Sequence, residues 1–100
     1  MSDIEVENEI QEKGLTAPRI TPDRIDEVVM RMDSHVFPDS QLTVVCLTLE
    51  NGFTVTGESA CASPENFDAE IGIKIAVANA KNKIWALEGY LLKQQLHEAA

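Results

Sequence analysis

The sequence predicts an α+β fold: a short N-terminal helix, an antiparallel β-hairpin and one long C-terminal helix, assembled as a homo-oligomer. Three observations carry this reading. Thr21-Pro22-Asp23 opens a helical run of apolar residues, two β-branched segments flank Asn51-Gly52, and from Ser63-Pro64 to about His97 only Gly72 and Gly89 interrupt good helix formers.

The first 18 residues scatter Ile4, Val6, Ile10 and Leu15 among Glu5, Glu7, Glu9 and Glu12. They read as an acidic tail or a weak helix ending at Gly14, with Pro18 preventing continuation. Residues 19–100 form a single hairpin–helix domain. In it Thr21 can cap a helix, Pro22 suits the first helical position, and Asp23 complements the positive end of the dipole. Ile25, Val28, Val29 and Met32 then follow the i, i+3, i+4, i+7 pattern, which predicts a helix over about 22–33.

Leu42–Leu49 and Phe53–Thr56 read as strands. Asn51-Gly52 between them suits a two-residue type I′ loop, because both positions need positive φ. That loop sets Leu49 opposite Thr54, Leu47 opposite Thr56 and Cys46 opposite Gly57. Leu42, Val44, Cys46, Phe53, Val55 and Cys61 then share one face, and Val45, Leu47 and Leu49 the other. Both faces carry apolar side chains, more than one helix covers.

The long helix is expected to start at Ser63-Pro64-Glu65. Phe67, Ile71, Ile75, Ala78, Trp85, Leu92 and Leu96 line a stripe that Ile73, Val77, Ile84, Leu87 and Leu91 widen. At 1.5 Å per residue it runs roughly 50 Å, whereas a compact chain of this length has a radius of gyration of about 13 Å. Either the helix bends at a glycine or it protrudes against another chain, and its wide apolar girth favours a second copy.

Charge and composition exclude several classes. Seventeen Asp and Glu stand against eight Lys and Arg, a net charge of −9. Direct nucleic-acid binding rests on neutralising phosphates with basic side chains, and an anionic membrane surface makes the same demand. No apolar run approaches the ~18 residues of a spanning helix, and the acidic N-terminus has no signal core. A cytoplasmic protein with reduced cysteines is expected. Cys46 and Cys61 are set too far apart for a disulfide and read as buried structural thiols. His35 and His97 lie in no metal-ligand spacing, and neither a nucleophile elbow nor a phosphate loop occurs. No enzyme activity, metal or cofactor is expected.

The segment from Asn51 to Gly72 (NGFTVTGESACASPENFDAEIG), with Ile84–Leu92 (IWALEGYLL), resembles the small phage-protein family named for gene products of phages N4 and Sf6. That resemblance implies a phage or prophage origin and a host-cytoplasmic setting. More weakly, the order strand, Asn-Gly turn, strand, Ser-Ala-Cys and long helix is similar to phage anti-defence sponges of the Thoeris and CBASS antagonist type. Those are non-enzymatic oligomers holding cyclic nucleotide signals between subunits. The likeness implies a ligand site at Phe53, Asn66, Lys74, Asn79 and Trp85: Phe53 stacks a base, Asn66 and the backbone near Ser63 hydrogen-bond polar groups, and Lys74 supplies charge near the expected helix start. Ile73 and Val77 depart from the basic side chains this likeness implies at their positions, and mark a lost phosphate site or an oligomer contact. The competing expectation is an acidic inhibitor or DNA mimic that binds a host protein, a defence protein among the candidates.

Overall fold

The computed structural model describes residues 2–15 and 17–100. Helices α1 (Asp3–Glu12) and α2 (Pro22–Glu27) lead into strands β1 (Val29–Val36), β2 (Leu42–Leu49) and β3 (Thr54–Ala60). A single 3-10 turn, Pro64–Asn66, precedes helix α3 (Ala69–Ala99). The strands form one antiparallel sheet in the order β1-β2-β3. The class is α+β as expected, but a three-stranded sheet replaces the hairpin.

The acidic N-terminal stretch is helical. Ser2 caps α1 by accepting the Glu5 N–H at 3.1 Å, and Gly14, at φ +68°, follows its end. A bidentate pair between Glu7 and Arg19 ties the helix to the chain that follows.

The expected helix over 22–33 stops at Glu27, and Val29–Val36 is a strand. Ile25, Val28, Val29 and Met32 satisfy a helical spacing, but from Arg31 onward the chain also alternates outward Arg31, Asp33 and His35 with Met32, Ser34 and Val36. β-Branched Val28 and Val29 lower helix propensity, and β2 offers a ladder: the Val28 carbonyl accepts the Glu50 N–H at 2.9 Å.

The β2–β3 register differs by one residue from the two-residue turn. The Leu49 carbonyl accepts from Gly52 N–H at 2.9 Å, and the Leu49 N–H donates to the Phe53 carbonyl at 2.8 Å. Glu50, Asn51 and Gly52 therefore form a three-residue loop, with positive φ (+89°) at Gly52 alone. Asn51 instead turns its Oδ1 to the Phe53 N–H at 3.0 Å. Leu47 now faces Val55, and Cys46 faces Thr56. The slip moves Val55 to the other face, where it joins Val45, Leu47 and Leu49 in the core. Leu42, Val44 and Cys46 lie half-buried on the face turned away from α3.

α3 begins later than the Ser63-Pro64 start. Phe67 is extended, and Asp68 caps the helix by accepting the Ile71 N–H at 3.0 Å. Its 31 residues run unbroken through Gly72 and Gly89. The chain measures 53 Å along its longest axis, with a radius of gyration of 16.4 Å, so the helix protrudes rather than bends. Its sheet-facing row is Gly72, Ala76, Ala80, Ile84 and Glu88, not the expected bulky stripe. Ile71, Ile75, Leu87, Leu91 and Leu96 are exposed. The small residues permit backbone contact: a Cβ built on Gly57 of β3 would lie 2.1 Å from the Ala76 carbonyl oxygen and 2.4 Å from the Ala80 nitrogen. Farther along, fully buried Ile84 packs with Val45 and Leu47, each such side chain stabilising by about 1.5–3 kcal/mol.

Candidate functional site

The two ends of β3 carry different chemistry. At its C-terminal end Asn66 lies in the 3-10 turn, where Pro64 fixes φ and Phe67 turns the chain back toward α3. A small cleft of about 90 Å³ there is lined by Gln41, Ser59, Cys61, Asn66, Asp68, Ile71 and Ile75, among others. Its polar groups are neutral amides and hydroxyls together with one carboxylate. Asp68 and Glu70 occupy the first turn of α3, so this helix terminus already carries negative charge.

At the other end the three-residue loop holds Phe53 more than half exposed. A groove of about 240 Å³ runs from Phe53 over Leu49 and Val28 to Leu87 and Leu91, with Glu50 and Glu88 on its rim. Arg24 bridges both carboxylates and so locks α2, the hairpin loop and α3 together. Its guanidinium is held above its ordinary range, first by Glu50 and then by Glu88.

The five expected ligand residues do not converge within one chain. Phe53 and Asn66 flank opposite ends of β3, about 20 Å apart at strand rise. Lys74 is exposed on α3 and pairs loosely with Glu70 at 3.8 Å. Asn79 donates its Nδ2 hydrogen to the Glu58 carbonyl at 2.8 Å, tying α3 to β3. Trp85 is half-buried against the core and lines a hollow with Val6 and Ile10 of α1, Ile20 and Pro22. Ile73 and Val77 pack at the core margin. The reading from sequence missed Gln41 and Ser59, which line the first cleft, and Arg24, which holds the rim carboxylates of the second; all three arrive only through the tertiary fold.

All three arginines pair with carboxylates: Arg19 with Glu7, Arg24 with Glu50 and Glu88, and Arg31 with Asp33. Lys13, Lys74 and Lys81 do so as well. Cys46 and Cys61 are free and half-buried rather than buried. Among the described residues no cluster of His, Cys, Asp and Glu could hold a metal ion, and no helix is long and apolar enough to cross a membrane.

These features define a small α+β protein in which one long helix lies on an open antiparallel sheet, with clefts at both ends of the contact. The profile of the Phage protein (N4 Gp49/phage Sf6 gene 66) family matches residues 20–96, and the chain belongs to this family. No curated protein and no solved structure matches it significantly.

Proposed function

We propose that this phage protein is a non-enzymatic accessory protein of the host cytoplasm, a homo-oligomer that sequesters a small cyclic nucleotide immune signal between copies. The observation that supports it most is the separation of the two clefts. Each holds half of what a nucleotide needs: an aromatic face at Phe53, and neutral hydrogen-bonding groups around Asn66. Exposed apolar residues of α3 border both, Leu87 and Leu91 at one end and Ile71 and Ile75 at the other. A two-fold axis across α3 brings Phe53 of one copy to Asn66 of the next while covering those side chains. Recognition then rests on stacking and neutral hydrogen bonds, with loosely paired Lys74 turning to the phosphates. The test is calorimetry against cyclic ADP-ribose isomers and cyclic dinucleotides. Micromolar binding is expected, weakened at least tenfold by Phe53→Ala or Asn66→Ala. No heat at millimolar ligand overturns the proposal.

The arginine pairings favour one other reading. With every guanidinium already facing a carboxylate, the surplus acids define the outer field, which suits an acidic inhibitor or DNA mimic of a basic host protein. A salt-sensitive host partner captured from lysate, with no nucleotide bound, selects this reading.

A further inference from the structure

We propose that β1 is a self-association edge: two copies pair β1 with β1, antiparallel about a two-fold axis at Ser34, and join their sheets into one of six strands. This goes beyond the nucleotide reading and stands without it. β1 ends the sheet, as β3 does. The Phe37 N–H donates to the Leu42 carbonyl at 3.1 Å, and residues alternate along an antiparallel ladder. Arg31, Asp33 and His35 therefore direct their backbone groups at β2, whereas Met32, Ser34 and Val36 direct theirs outward. The register shift between Val29 and Arg31 bounds this regular edge on one side, and Pro38 on the other. Between those bounds β1 has none of the proline, lysine or bulge that usually protects an edge.

The side chains select a second copy and one register. With Ser34 on the axis, Met32 faces the other copy's Val36, so the outward groups of both strands pair. Asp33 then faces the other copy's His35 twice, a carboxylate within reach of an imidazole N–H donor, and Arg31 faces the other copy's Phe37, a contact of cation–π type. Met32, 47% exposed, is covered by an apolar neighbour. Moving two residues one way sets Asp33 against Asp33, and two the other way sets His35 against His35. Centring on Met32 runs the ladder into the bulge at Met30.

The test uses the full chain at about 100 μM in sedimentation and light scattering. Ser34→Pro removes one outward N–H and leaves the β2 ladder intact. It is expected to halve the assembly's mass with an unchanged circular dichroism spectrum and with cyclic nucleotide binding scored separately. An unchanged mass for Ser34→Pro, or a monomeric wild type, overturns the proposal. Cross-linking covers the case in which Ser34→Pro fails to fold. On a Cys46→Ala, Cys61→Ala background, Ser34→Cys is expected to form a self-disulfide under mild oxidation, since axial Cα atoms lie about 5.5 Å apart. Asp33→Cys cross-linking to itself as readily as Ser34→Cys overturns the register.

Discussion

The two edges of the sheet are built differently. At β3 the helix lies in backbone contact: Ala76 and Ala80 press on Gly57, and Asn79 satisfies the outward carbonyl of Glu58. At β1 the outward groups of Met32, Ser34 and Val36 face solvent. The β3 edge is tied to the helix at Glu58, whereas β1 has no such tie among the described residues. The difference comes from residue size. A helix that presents Gly72, Ala76 and Ala80 can sit close over one edge, and its bulky residues then point elsewhere.

The largest expected effect lies where the helix packs on β3. Gly57→Ala places a Cβ where backbone atoms already stand, and no side-chain rotation relieves it. The helix must lift, at a cost of about 3 kcal/mol in urea unfolding. Ser34→Ala on the open edge is expected to stay within about 0.5 kcal/mol. Equal losses at the two sites would erase the distinction between them.

The sequence pattern reached the Asn51-Gly52 turn region, the Thr21 cap, the long helix and the chain's excess of apolar surface. It did not reach β1, because Ile25, Val28, Val29 and Met32 fit a helix locally and only pairing with β2 decides for a strand. The β3 register failed for a related reason: Asn51 in a two-residue loop and Asn51 in a three-residue loop look alike until the Leu49–Phe53 hydrogen bond is seen. The sheet-facing row of α3 was hidden because apolar periodicity weights large residues, whereas close contact with Gly57 required alanines. For the candidate site, Phe53 and Asn66 each line a cleft, but Gln41 and Ser59, and Arg24 behind the rim carboxylates Glu50 and Glu88, come from distant segments and carry no local signal.

Arg24 links the closed side of the molecule to α2. Glu88 is nearly buried, with its side chain 9% exposed, so Arg24→Ala leaves a carboxylate without its partner. A loss of about 2 kcal/mol is expected, less than for a fully buried pair because Arg24 is one-third exposed. Adding Glu88→Gln should recover about half of it by removing the stranded charge. No recovery would show that Arg24 acts through Glu50 alone. Asn79→Ala comes next, at about 1 kcal/mol for one lost hydrogen bond. It also frees the Glu58 carbonyl, so a more open β3 edge is expected to raise aggregation on heating relative to wild type, as read by light scattering.

The smallest effect tests whether α1 belongs to either edge. Arg19, and then Gln11, hold the Glu7 carboxyl below the ordinary carboxylate range by hydrogen bonding. A carboxyl depressed in the folded state contributes stability that is fully present above its unfolded value, about 4.3, and is lost as the pH falls through the lower folded value. Acid should therefore release α1 without unfolding the sheet. Trp85, the one tryptophan, lines the hollow that Val6 and Ile10 cover, so its emission should shift to the red below about pH 4. Glu7→Gln should show the shifted emission already at neutral pH while its melting temperature stays within a few degrees of wild type. Identical emission in the two proteins across that range would mean that α1 is held by its apolar contacts and that the Arg19 pair adds nothing.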